Sequence, residues 1–317
     1  MVNKSAFVFP GQGSQSPGMG KDLADNFAVA RQVFEEADDA LGFAISRLCF
    51  EGPAEELQLT ENTQPSILAV SIAAFRALEM SGAPAPAFVA GHSLGEYSAL
   101  VAAGVLELSD ALRTVRARGR YMQEAVPVGT GAMAAVMGGE LEDIQRVCVE
   151  AAGDEVCSIA NINSPGQLVI AGHATAVDRA IELLKGVAKK VVKLNVSAPF
   201  HCALMKPAQE RLASDLERLD FREPKFPVVT NVDARITTAP EELRDALIRQ
   251  VSAPVRWVES MQLLAQNGVE TVVEVGPGKV LSGLMRKTSR DMKCLNVEDA
   301  ASLEATSAAL AARDVLV

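Results

Sequence analysis

Between a short apolar run, Ala87 to Ala90, and a helix-forming stretch from Glu96 to about Val105, the chain carries Gly91-His92-Ser93-Leu94-Gly95. G-x-S-x-G between a strand and a helix is the pattern of a nucleophile elbow. Where a strand reverses sharply into a helix there is no room for Cβ atoms beside the serine, hence the glycines. The helix start then offers free N–H groups and a partial positive charge to an oxyanion forming beside Ser93. The chemistry is acyl transfer through a serine ester. The competing reading is a glycine-rich turn with an ordinary capping serine.

A serine nucleophile needs a base, and the chain has 3 histidines. His92 adjoins Ser93 and would have to fold back onto its neighbour. His173 follows Ala171-Gly172 at an expected strand end, where a surface histidine is the default. His201 follows Ser197-Ala198-Pro199-Phe200, where the chain re-enters its larger domain, and it is the candidate base. An α/β-hydrolase would place an acid and then a late histidine after the serine. No histidine follows His201 and no acid stands out, so a Ser–His pair oriented by a backbone carbonyl or amide is the simpler expectation. Such a pair serves a transferase or an esterase equally well, depending on the acceptor.

Beyond Ser109 the spacing predicts a helix carrying four arginines. At about 100° per residue, Arg113, Arg116 and Arg120 share one face, while Arg118 falls with Ala111, Val115, Met122 and Ala125 on the apolar side. An unpaired buried guanidinium there would destabilise the fold by about 3–5 kcal/mol, by analogy with broken buried ion pairs. Arg118 therefore needs an anion, either a structural carboxylate or one brought by a ligand.

The elements that must hold these groups alternate as in an α/β protein. Ala6 to Phe9 reads as a buried strand running into the tight loop Pro10-Gly11-Gln12-Gly13, followed by one polar helical stretch to about Leu41. A helix is expected from Gln64-Pro65 to about Met80, apolar nearly all round. From about Gly131 to Val196 the order is strand, helix, strand, strand, helix, strand, a ferredoxin-like βαββαβ unit. Strands follow at Pro227–Thr230 and Thr271–Val275. The expected architecture is an α/β-hydrolase-like large domain with a parallel sheet, residues 1–127 and 199–317, carrying an inserted ferredoxin-like subdomain, residues 128–198.

With 49% apolar and 22% charged residues the chain is long enough to bury a full core. The net charge of -10 argues against nucleic acid as a partner. No run approaches the roughly 18 apolar residues of a membrane span, and the opening apolar run is too short for a signal peptide. Five cysteines without CxxC spacing suit a reducing compartment, so a cytoplasmic location is expected, with no metal.

Taken together, Phe9-Pro-Gly-Gln-Gly-Ser-Gln15, Thr63-Gln64-Pro65, Gly91 to Glu96, Arg118-Gly119 with Met122-Gln123, Asn161-Ile-Asn163 to Gln167, Phe200-His201, Gln250 and Glu274-Val-Gly-Pro-Gly278 resemble the malonyl-CoA:acyl carrier protein transacylase family over essentially the whole chain. The resemblance implies that Ser93 is acylated, that His201 is its base and that Arg118 grips the free malonyl carboxylate. It implies an oxyanion hole from the N–H groups of Gln12 and Leu94. Gln250 would orient His201, and His92, Gln64, Asn163, Phe200 and Gln250 would surround the substrate. Phe200 before the histidine points to malonyl over methylmalonyl, although Ala198-Pro199 departs from the usual motif. No bound cofactor is implied, only malonyl-CoA and a holo-acyl carrier protein as substrates, and the enzyme is expected to be a monomer. Because carrier proteins are acidic, a local basic surface is expected among Lys189, Lys190, Lys193, Lys279, Arg286 and Lys287.

Overall fold

β1 (Lys4–Phe9) is buried from its second residue onward and lies between two parallel neighbours, β2 (Phe88–Gly91) and β9 (Val269–Val275). A strand covered on both faces reads as a continuous apolar run, which is why Ala6-Phe7-Val8-Phe9 shows no alternation. The computed structural model describes residues 4–289 and 291–314. β10 (Lys293–Val297) flanks β9, while β7 (Val228–Val229) and the antiparallel β8 (Ile236–Thr237) extend the other edge, giving the order β10-β9-β1-β2-β7-β8. Phe7 and Phe9 face one core, with the helix Thr60–Met80, and Ala6 and Val8 face the other, with Trp257. Helices thus cover both sides of a mostly parallel sheet, the α/β-hydrolase-like layering.

The second sheet is antiparallel and consists of β3 (Gly131–Met137), β4 (Cys157–Ser164), β5 (Gln167–His173) and β6 (Lys190–Lys193) in the order β4-β5-β3-β6. That is the ferredoxin-like arrangement, with the helices Leu141–Ala152 and Ala174–Leu183 on one face. Alternation along β3 sends Ala132, Ala134 and Val136 toward those helices and Met133 toward the larger core. A bridge between Asn161 and Val255 ties the small sheet to the large layer.

Several elements differ from expectation. The stretch before Leu41 is two helices, Lys21–Asn26 and Ala28–Leu41, divided by extended backbone at Phe27. The central helix starts at Thr60, ahead of Pro65, and Gly119 of the helix Leu108–Glu124 packs closely on its first turn: a Cβ on Gly119 would lie 2.6 Å from the carbonyl oxygen of Thr60. β6 stops at Lys193 instead of Val196. β8, of two residues, and β10, a half-polar edge strand, had too little apolar pattern to be legible. Among the described residues no helix is long and apolar enough to cross a membrane.

Candidate active site

The loop after β1 and the turn after β2 meet at the carboxyl ends of adjacent parallel strands, the usual place for a site in an open α/β sheet. The turn is an elbow forced by contact. A Cβ on Gly91 would fall 1.9 Å from the carbonyl of Gly95, and one on Gly95 would fall 2.0 Å from the carbonyl oxygen of Phe9. Squeezed between them, Ser93 adopts φ 52°, an uncommon conformation for a side-chain-bearing residue. Its main chain is pinned at both ends: the N–H donates to Asn231 Oδ1 at 2.6 Å, and the carbonyl accepts from Gln250 Nε2 at 3.0 Å.

Ser93 Oγ lies 2.7 Å from Nε2 of His201, and His201 Nδ1 lies 2.9 Å from the main-chain carbonyl of Gln250. A carbonyl can only accept, so Nδ1 carries the proton and Nε2 is left to take one from the serine. Burial, followed by the Arg118 charge, pushes the His201 imidazole down from 6.5 to about 3, which keeps it neutral. His201 also has positive φ, 59°, so both partners are held in left-handed backbone. His92 turns away to Asn163, its Nε2 2.8 Å from Oδ1, and packs edge-on against Trp257. His173 stays on the small sheet, where Nδ1 accepts the N–H of Val156.

Arg118 is 2% exposed. Its guanidinium donates to Gln64 Oε1 at 2.7 Å, to Gln250 Oε1 at 2.9 Å and to Ser93 Oγ at 3.1 Å. No carboxylate among the described residues lies within salt-bridge distance of it, and its Nε has no partner. The structural ion pair left open by helical spacing is therefore not made. The other three arginines sit on the opposite face, Arg113 with Asp110, Arg120 with Glu124, and Arg116 over the ring of Phe43.

A cavity of about 240 Å³ opens over these groups. Gln12, Gln64, His92, Asn163 and Phe200 line it, with Met133 and Val169 from the small sheet opposite Ser93. Among the described residues, no acceptor takes the main-chain N–H of Gln12 or of Leu94. Gln250 is not in the lining: fully buried, it sits beneath the cavity and orients His201 through its backbone while its side chain serves Arg118, Ser93 and Glu96. Gln250 thus stands behind the cavity wall, in contact with the groups that face the cavity.

One residue of the site escaped the sequence, and a second was read only as the end of the elbow segment. Asn231, at the carboxyl end of β7, also donates from Nδ2 to the carbonyl of Gly91 at 2.6 Å, and so ties the elbow to the neighbouring strand. Glu96 is fully buried beneath it. Its legible signals were its place at the end of the Gly91 to Glu96 segment and a carboxylate in the first turn of a largely apolar helix.

An elbow serine paired with a neutral histidine on an α/β-hydrolase-like layer, roofed by a ferredoxin-like sheet, defines a serine acyl-transfer enzyme. The Acyl transferase domain family matches residues 6–313. Curated relatives include the malonyl CoA-acyl carrier protein transacylases of Escherichia coli K12, 51% identical over 90% of this chain and 93% of that protein, and of Bacillus subtilis, 48% identical over 96% of each. Among solved structures, an acyl carrier protein S-malonyltransferase from Vibrio cholerae superposes with TM-score 0.94 at 50% identity, over 96% of this chain and 100% of that one. A malonyl-transacylase solved in complex with its type II polyketide acyl-carrier protein reaches TM-score 0.95 at 48% identity, over 97% and 100%. The chain belongs to the malonyl-CoA:acyl carrier protein transacylase family.

Proposed function

We propose that this protein moves a malonyl group from malonyl-CoA to the phosphopantetheine thiol of an acyl carrier protein, for fatty acid or polyketide synthesis. Ser93 Oγ attacks the thioester carbonyl while His201 Nε2 takes its proton. The N–H groups of Gln12 and Leu94 receive the oxyanion, each such donor being worth about 2.7–4 kcal/mol. As the carbonyl re-forms, the C–S bond breaks and the coenzyme A thiolate leaves with the proton held by His201. The carrier thiol then repeats these steps in reverse, in ping-pong order.

The observation that carries the reading is the place of Arg118, 3.1 Å from Ser93 Oγ, buried and without a carboxylate partner among the described residues. In a malonyl group one methylene separates the free carboxylate from the reacting carbonyl, so its counterion must stand directly beside the nucleophile. An acetyl group would leave that charge unmatched. Phe200, in the cavity wall, supports the same acyl group. For the carrier surface, Lys193 and Lys279 are engaged by Asp178 and Glu298. Lys189, Lys190, Arg286 and Lys287 make no carboxylate pair among the described residues, and Lys287 reaches Gln167 in the cavity wall.

Intact-mass analysis after incubation with malonyl-CoA tests the proposal. A malonyl adduct is expected, absent in Ser93→Ala, and added holo-carrier should take up the acyl group. Release of free malonate with carrier present would instead mark a thioesterase, and no adduct at all would mark a silent docking subunit.

A further inference from the structure

Glu96 is fully buried one turn below Ser93 and does not touch the cavity. Its Oε2 accepts from Gln250 Nε2 at 2.8 Å and from the main-chain N–H of Asn231 at 3.1 Å, while Oε1 has no partner among the described residues. The same Gln250 amide presents its oxygen to Arg118. One amide thus stands between the only carboxylate among the described residues that engages this network and the cation beside the nucleophile. A buried negative charge so placed offsets part of the Arg118 field. Any carboxylate arriving in the cavity has to share that field.

Resting on the malonyl reading above, the geometry points to Glu96 as a specificity-positioning residue: through Gln250 it acts as the resident counterion of Arg118 and sets how strongly the site prefers a carboxylate-bearing acyl group over a neutral one. With Glu96 ionised, Arg118 is partly compensated and the carboxylate gains less. With Glu96 neutral, the whole of the Arg118 charge falls on the acyl group.

The charge on Glu96 changes within reach of ordinary buffers. Burial, against the pull of Gln250, Asn231 and Arg118, lifts its carboxyl from 4.5 to about 7. The other titratable groups around it are Arg118 on Leu108–Glu124, Tyr97 on its own helix and Asp233 after β7. Arg118 stays cationic across this range. Tyr97 is pushed further up by burial, Asp233 further down by Arg249, and His201 lies near 3. The sign follows: as pH falls through about 7, Glu96 takes a proton and carboxylate preference rises.

The test is the ratio of kcat/KM for malonyl-CoA to that for acetyl-CoA, with one holo-carrier as acceptor, in the wild type, Glu96→Gln and Arg118→Ala. Glu96→Gln keeps the acceptor for Gln250 and Asn231 but drops the charge, and should raise the ratio about fivefold or more, the low end of measured coupling between sites. A purely structural Glu96 would depress both reactions together, and an unchanged or lower ratio overturns the assignment. Where Glu96→Gln does not fold, the wild type decides: its ratio should climb from about pH 8.5 to about pH 6, and a flat profile is equally fatal. A ratio lost in Arg118→Ala but deaf to Glu96 overturns the role of Glu96 alone. A ratio preserved in Arg118→Ala overturns the carboxylate clamp and the role of Glu96 with it.

Discussion

Asn231 holds Ser93 by the backbone: Oδ1 accepts the serine N–H at 2.6 Å while Nδ2 reaches the carbonyl of Gly91 at the same distance. One side chain from the turn after β7 thereby ties together the two ends of an elbow whose central residue has φ 52°. Replacing it with Ala leaves a buried N–H and a buried carbonyl unmet, at about 1–3 kcal/mol each. Asn231→Ala should therefore lower stability in denaturant titration and also lower the rate of Ser93 acylation, because the hydroxyl loses its aim. Normal acylation in a destabilised Asn231→Ala would show that the elbow holds its shape unaided.

Neutral His201 makes a prediction in pH. For acetyl-CoA, whose acyl group does not engage the Arg118 charge, kcat/KM should have no acid limb near 6.5, since the imidazole protonates only near 3. Stability moves the other way. A base whose folded pKa is depressed contributes fully above its unfolded value, and that contribution is lost as pH falls from 6.5 toward 3. Acid should unfold the protein before it titrates the base, and stopped-flow acylation run beside circular dichroism separates the two. His201→Ala should slow acylation by about 10²–10⁴-fold.

Arg118→Ala should depress malonyl transfer far more than acetyl transfer, by about 100-fold or more, as for loss of a charged partner in a buried site. Steady-state kinetics with both thioesters measures it. Equal losses would mean that Arg118 only supports the fold.

Reversing Arg286 and Lys287 to Glu together should raise the KM for holo-carrier, more steeply at low salt, and leave the malonyl-CoA half-reaction unchanged. Burst kinetics without carrier isolates that half. An unaltered carrier KM would move the docking surface elsewhere.

The candidate nucleophile and the buried arginine were legible because each left a local signature. A G-x-S-x-G needs only its flanking strand and helix to be read. Arg118 was visible because helical periodicity put one charge on an apolar stripe. His201 was reached by elimination among three candidates. The βαββαβ order was legible for the same reason, since period-2 and period-3.6 patterns alternate in short segments.

Local patterns along the chain were enough to point to the candidate groups for the chemistry and to the two kinds of sheet that bear them. How those groups share charge follows only from packing. Gln250, Asn231 and Glu96 lie on separate elements, and nothing in their chain neighbours marks them as partners of one another. Only when β2 and β7 pair and the helix Gly95–Ala102 packs on β1 and β2 do a carboxylate, an amide and a guanidinium line up beneath Ser93. Burial sets the protonation of each, and burial is a property of the packed chain that no local pattern encodes.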